Sequence, residues 1–131
     1  MKDDIEKIVE FRLGNSDRAY VMAVAAAELG DWNHVINRLY YAAFYSVSAY
    51  FAKKSVYIKT HNGTRIQFHR ELVKTGIINL EYGELYDELF NKRQDSDYAD
   101  FLIMTKERTE PLIEETFEMV KRIKEIIKED I

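Results

Sequence analysis

The sequence predicts an all-α fold, an antiparallel up-and-down bundle of about five helices, and three observations carry that prediction. Glycine and proline are scarce, five and one in 131 residues, which leaves little material for hairpin turns. Glu, Lys, Ala, Leu and Ile are abundant and favour helix. The stretch 35–51, VINRLYYAAFYSVSAYF, repeats its apolar residues at helical rather than strand spacing.

That stretch is the predicted centre of the fold. Val35, Leu39, Ala42, Ser46 and Ala49 form one stripe, and Ile36, Tyr40, Phe44, Val47 and Phe51 form a second beside it. A helix with two adjoining apolar stripes must be covered on most sides by other helices. Alanines at 42, 43 and 49 and serines at 46 and 48 let neighbouring backbones approach, while the tyrosines add area with a polar tip that needs a partner. Arg38 is the strongly charged residue of the run, and a guanidinium that cannot be deprotonated must reach water, a carboxylate or a ligand anion.

The other elements follow in order. A first helix spans 3–28, with Gly14 as a candidate break or bend and Gly30 as its stop. Asp31 is the expected cap of the central helix, and the short turn before it demands a helical hairpin. Periodicity lapses after Phe51. Then THNG at 60–63 introduces a third helix holding Ile66, Phe68, Leu72 and Val73, which Gly76 closes. A fourth helix is expected from about Tyr82, with Leu85, Leu89 and Phe90 on one face, running toward Lys92 or Arg93; the polar RQDSDYADF at 93–101 reads as a turn. The last helix is expected to start at Thr109, with Glu110 and Pro111 in its first turn, and to show Ile113, Phe117, Val120, Ile123 and Ile127. Tyr40, Phe44, Val47, Phe68, Leu72, Leu89 and Phe117 are the predicted buried set. Without repeats, low-complexity runs or a linker, residues 1–131 read as a single domain.

Composition narrows the function classes. The absence of cysteine excludes disulfides and cysteine-based metal sites and nucleophiles. The amino-terminal MKDDIEKIVE is charged and amphipathic rather than signal-like, and no run approaches the length of a membrane span, so a cytoplasmic protein without membrane attachment is expected. Net charge is −4 but uneven: residues 31–78 hold seven Lys or Arg against two acids, leaving twelve against twenty-one elsewhere. Local basicity of this kind suits an anionic ligand or an acidic partner surface, whereas the overall acidity argues against general coating of nucleic acid.

Among chemistry-bearing residues, histidines stand at 34, 61 and 69. On one helix His61 and His69 would lie roughly 12 Å apart along the axis, too far to share an ion, so no metal site is expected. His61, Arg65 and His69 at four-residue intervals would instead form one cationic stripe. Serine nucleophile elbows, phosphate-binding glycine loops and dinucleotide fingerprints are absent, and no cofactor is expected.

Four segments in register carry a resemblance: NRLYYAAFYSVSAYF at 37–51, THNG at 60–63, FHRELVKTG at 68–76 and LFNKRQDSDYADF at 89–101. Together they resemble the HEPN family, helical proteins named for their occurrence in higher eukaryotes and prokaryotes. The resemblance implies a helical bundle, commonly a homodimer, often encoded beside a small nucleotidyltransferase with which it pairs as toxin and antitoxin. Many such members are metal-independent ribonucleases that use an Arg, four to six residues, then a His. Here the Arg is Arg93, and Tyr98 stands where the His would be.

That departure matters chemically. Attack by a ribose hydroxyl needs a base near neutral pKa; imidazole at about 6.5 serves, while a phenol at about 10 stays protonated. Arg93 retains the capacity to clamp a phosphate and Tyr98 to donate a proton, so this pair is the candidate catalytic set. The candidate ligand-binding set is Arg38, Tyr41, Tyr45, His61, Arg65 and Asp97. The plainer reading of the same segment is an Arg93–Asp97 salt bridge one helical turn apart, with Tyr98 closing the bundle. The expectation is therefore a nucleotide- or RNA-binding subunit, or a partner-binding one, with little ribonuclease activity; a divergent ribonuclease using Arg93 and Tyr98 is the alternative.

Overall fold

The computed structural model describes residues 2–98 and 104–129, with only the backbone described at 95–98. Five helices appear in the order α1 (Lys2–Glu28), α2 (Trp32–Lys53), α3 (His61–Phe68), α4 (Leu80–Tyr98) and α5 (Lys106–Glu129), and α3 continues into a π-helical turn over His69–Val73. The fold is an all-α bundle, with no strand among the described residues.

Helix α2 is its axis and packs against each of the other four. Val35, Ile36, Leu39, Tyr40, Ala42, Ala43, Val47 and Ala49 are all fully buried, as two adjoining apolar stripes require. Contact with α1 is close because the facing residues are small: Ala19 and Ala23 lie against α2, and the buried Ser16 hydroxyl donates to the Ala42 carbonyl at 2.6 Å. Arg12 Nη1 donates to the Ser48 carbonyl at 3.0 Å. Ascending numbers on α1 thus meet descending numbers on α2, the antiparallel hairpin that its short turn dictates. That turn is set by Gly30, whose φ of +72° lets Asp31 N–H donate back to the Ala26 carbonyl at 2.9 Å. Asp31 then caps α2, its carboxylate accepting from the His34 N–H. Along the same helix, Tyr20 meets Phe117 and Asp17 meets Lys124, so α5 runs antiparallel to α1.

Several expectations are corrected. Helix α1 runs unbroken through Gly14. Helix α4 begins at Leu80 and continues through Arg93 to Tyr98, so the first part of the expected turn is helical; residues 99–101 of that segment lie outside the described residues. Polar residues without Gly or Pro do not end a helix when one side of it is solvated. Helix α5 starts a turn early: Thr105 accepts from the Arg108 N–H and from the Thr109 N–H, while Thr109 itself is buried. Pro111 consequently sits past the first turn, where it withholds a donor from the Glu107 carbonyl. Phe117 is 46% exposed, capped from one side by Tyr20, because α5 turns Thr116, Met119 and Val120 inward instead. Phe44 is half-buried, and the other five predicted core residues are fully buried.

Candidate functional site

The site is assembled where α2, the start of α3 and the second half of α4 meet. Thr60 sets the position of α3: its hydroxyl accepts from the Gly63 N–H at 2.8 Å, and the Thr64 hydroxyl donates to its carbonyl at 3.0 Å. Gly63 is needed because a Cβ there would stand 2.8 Å from Thr60 Oγ1 and 3.1 Å from Ile58 Cγ2. THNG is therefore a capped, tightly packed helix start, and its product is the placement of His61 in the first turn.

His61 lies flat on Phe44, ring centroids 4.3 Å apart and planes 8° from parallel, and its Nδ1 is 2.8 Å from the Tyr40 hydroxyl. Burial lowers its pKa below the ordinary histidine value, and the nearby Arg93 guanidinium lowers it further. Tyr40, a fully buried side chain, is pushed up to about 12 by burial and keeps its proton at any ordinary pH. The buried Tyr86 hydroxyl of α4 lies close enough to perturb Tyr40's ionisation, yet it has no hydrogen-bond partner in good geometry.

Two arginines gather over the α2 tyrosines. The Arg93 guanidinium sits 4.8 Å from the Tyr40 ring centroid and 5.8 Å from that of Tyr41. Arg38 comes to the same Tyr41 ring from within α2, at 5.0 Å, and its Nε and Nη2 donate to the Asn37 side-chain oxygen at 2.9 and 2.8 Å. Ring quadrupoles attract such cations electrostatically. Tyr45 completes the row against Tyr41, centroids 5.9 Å apart. Arg38 also borders a groove of about 490 Å³ between the end of α1 and the start of α2, walled by Met22, Ala26, Leu29 and His34.

Arg65 and His69 take another direction. Arg65 Nη1 donates to Asp87 Oδ1 at 3.3 Å and its guanidinium covers the Phe90 ring at 4.8 Å; His69 Nε2 meets the same Asp87 oxygen at 2.8 Å. The expected single stripe is thus split, with His61 turned to Tyr40 while a carboxylate on α4 collects the other two. The π turn at 69–73 widens the helix where His69 is aimed at Asp87, and Gly83 lets α4 come close, since a Cβ there would be 3.0 Å from His69 Cε1.

Of the sequence-predicted residues, Arg38, Tyr41, Tyr45, His61 and Arg93 converge, and Arg65 lies beside them paired to Asp87. The side chains of Asp97 and Tyr98 lie outside the described residues, so their backbone in the last turn of α4 is all that can be placed. Sequence reading missed Tyr40 as the hub, having assigned it only to the core, and missed Asp87 and Tyr86; spacing from Phe90 and Arg93 at three, four, six and seven residues could have put all four on one side of α4. Among the described residues no group of three metal-ligating side chains forms, and no helix is long and apolar enough to cross a membrane.

Comparison with known proteins agrees with this architecture. The HEPN domain model matches residues 9–128. A Thermotoga maritima protein named "UPF0332 protein" is 30% identical over 124 residues, covering 95% of this chain and 94% of the relative. Two Methanocaldococcus jannaschii proteins, each named "Putative toxin", are 28% and 29% identical, covering 86% and 98% of this chain and 74% and 92% of their own lengths. With the family model spanning nearly the whole helical bundle, this chain belongs to the HEPN domain family.

Proposed function

We propose that this chain is a nucleotide- or RNA-binding subunit that works as a homodimer with a small nucleotidyltransferase in a toxin–antitoxin-type system, without ribonuclease activity of its own. The observation that carries the binding reading is the meeting of Arg38 and Arg93 at one Tyr41 ring. Two guanidinium groups beside one row of tyrosines give that row a cationic character that suits a phosphate, and the aromatic rings offer a base a face to stack on. The groove beside Arg38 adds room for an apolar moiety. The toxin names of two relatives support the system, and the homodimer follows family resemblance, with the region of Arg93 to Tyr98 as the expected interface. Sedimentation at micromolar concentration checks the dimer; a monomer at all concentrations contradicts it.

Absence of cleavage rests on Tyr98, since losing general base help typically costs about 10² to 10⁴ in rate. The alternative, a metal-independent ribonuclease with a divergent Arg93–Tyr98 motif, gains one specific observation: His61 offers an imidazole close enough to feel the Arg93 charge. Against it, the Nδ1 of that imidazole is engaged by Tyr40. Incubating purified protein with structured and unstructured RNA without metal decides between them. We expect no cleavage by the unaltered protein and activity, if any, only in Tyr98→His. Robust cleavage lost in Arg93→Ala or His61→Asn overturns the reading. Co-purification with a nucleotidyltransferase encoded alongside tests the partner.

A further inference from the structure

The outer face of α5 carries a charge pattern that one folded chain leaves unused. Glu107, Glu114, Lys121 and Lys128 follow one another at seven-residue intervals with Phe117 among them, so all five share one stripe of the helix, acidic at one end and basic at the other. All five are exposed, Phe117 included. Among the described residues none of the four charges makes an ion pair, although elsewhere on α5 Arg122 pairs with Glu125 and Glu129, and Lys124 with Asp17. Acids toward the start of a helix and bases toward its end suit the helix dipole, but that effect falls off within the terminal turns, and Glu114 and Lys121 lie in the middle of α5. Glu114 borders the glutamates of α4 on one side; on the other its charge, after burial, raises the Tyr20 pKa, so it stands between α4 and α1 on the outward side of α5. Beside Phe117, a groove of about 410 Å³ opens between α1 and α5, walled by Tyr20, Val21 and Val120 and rimmed by Lys121. An exposed ring and an apolar hollow thus lie side by side at the centre of the charged stripe.

We propose that this face pairs α5 with the α5 of a second copy of the chain, the two helices running antiparallel about a two-fold axis near Phe117. A two-fold contact requires a surface complementary to itself, and this stripe is one. Glu114 then faces Lys121 of the second copy, Glu107 faces its Lys128, and the same two pairs recur on the other side of the axis, where Phe117 meets its own counterpart. A parallel alignment would set glutamate on glutamate and lysine on lysine. At the helical rise the stripe from Glu107 to Lys128 is roughly 30 Å long, enough for the four ion pairs to act together. Exposed ion pairs contribute little individually, so covering Phe117 and Val21 supplies the attraction while the charges set direction and register. This contact lies on α5, away from the Arg93 to Tyr98 region of α4; where both form, pairs of chains join into a larger assembly. The inference goes beyond the function proposed above and does not depend on it.

Charge reversal tests it, with sedimentation equilibrium of the full chain at low salt as the readout. One variant carries Lys121→Glu and Lys128→Glu, making the stripe wholly acidic; a second carries Glu107→Lys and Glu114→Lys, making it wholly basic. Each alone should self-associate through this face more than about tenfold more weakly than the wild type, because like charges now meet across the axis. An equimolar mixture of the two should restore the association, which also shows that both variants are folded. All four substitutions in one chain should restore it as well, since the inverted stripe is self-complementary only in the antiparallel alignment. Phe117→Ser should weaken it without any change of charge, and added salt should weaken the wild type and the mixture alike. Self-association of both reversed variants equal to that of the wild type overturns the inference and leaves a homodimer through α4 standing. A mixture no more associated than its components also overturns it. A wild type that is monomeric at every concentration overturns the inference and the homodimer together.

Discussion

Helix α4 faces two regions of opposite character, and the contrast explains why only one of them is a candidate for anion recognition. Toward α2 and α3 it presents Tyr86, Asp87, Phe90 and Arg93 to an aromatic cluster that holds cations on ring faces. Toward α5 it presents Glu81, Glu84 and Glu88 to Glu114, Glu115 and Glu118 across a groove of about 380 Å³. Within that groove burial raises the Glu115 pKa, and the charges of Glu88 and Glu81 raise it further. At the first region charge is gathered by desolvated rings and held in place; at the second it is crowded and left to water, with Lys92 relieving Glu88 at 2.6 Å. The uneven charge along the sequence is thus sorted in space by the two sides of one helix.

Substitutions on the two sides should differ most in stability. Tyr40→Ala removes a fully buried ring that supports His61 and Arg93, and is expected to cost about 3–5 kcal/mol in urea unfolding. Glu118→Gln, on the glutamate side, should stay within about 0.5 kcal/mol. Equal costs would break the comparison. Asp87→Asn stands between them: it loosens the shared hold on Arg65 and His69, at roughly 1 kcal/mol for a partly exposed cluster.

The two regions also predict opposite pH responses. His61 has a folded pKa below its unfolded value of about 6.5, so its contribution to stability is fully present above that pH and is lost as pH falls through the folded value. Thermal melts of the unliganded protein against His61→Asn should therefore show the wild type losing ground to the variant between neutrality and mild acid. Glu115 has a raised folded pKa, so its ionised form destabilises: the deficit is absent below about pH 4 and appears as pH rises through the folded pKa. Glu115→Gln should raise Tm slightly at neutral pH, with the gain vanishing in acid. A gain at low pH instead would refute the crowding of that groove.

How much of this was legible beforehand follows from range of interaction. Helix α2, the caps at Asp31 and Thr60 and the stops at Gly30 and Gly76 were readable, because periodicity, capping and positive φ are local. The start of α5 was misread because Thr105 and Thr109 are equally good caps in sequence, and only packing makes the second one buried. Phe117 was misplaced because the orientation of an amphipathic helix is fixed by its neighbours, here by small residues of α1 facing α2 rather than α5. In the site, residue type selected Arg38, His61 and Arg93, but chemistry alone paired none of them. Tyr40 was recognised as core and not as a hydrogen-bonding hub, and the diversion of Arg65 and His69 to Asp87 depends on a contact between helices eighteen or more residues apart in sequence.

The side of α4 that meets nucleic acid distinguishes the two regions most sharply. The direct measurement is fluorescence anisotropy of a labelled single-stranded RNA titrated with wild type, Arg93→Ala and Glu118→Gln at two salt concentrations. The predicted result is salt-sensitive binding that weakens by about tenfold or more with a shallower salt dependence in Arg93→Ala, while Glu118→Gln binds as the wild type does or slightly more tightly. Binding by Arg93→Ala equal to the wild type would contradict the account.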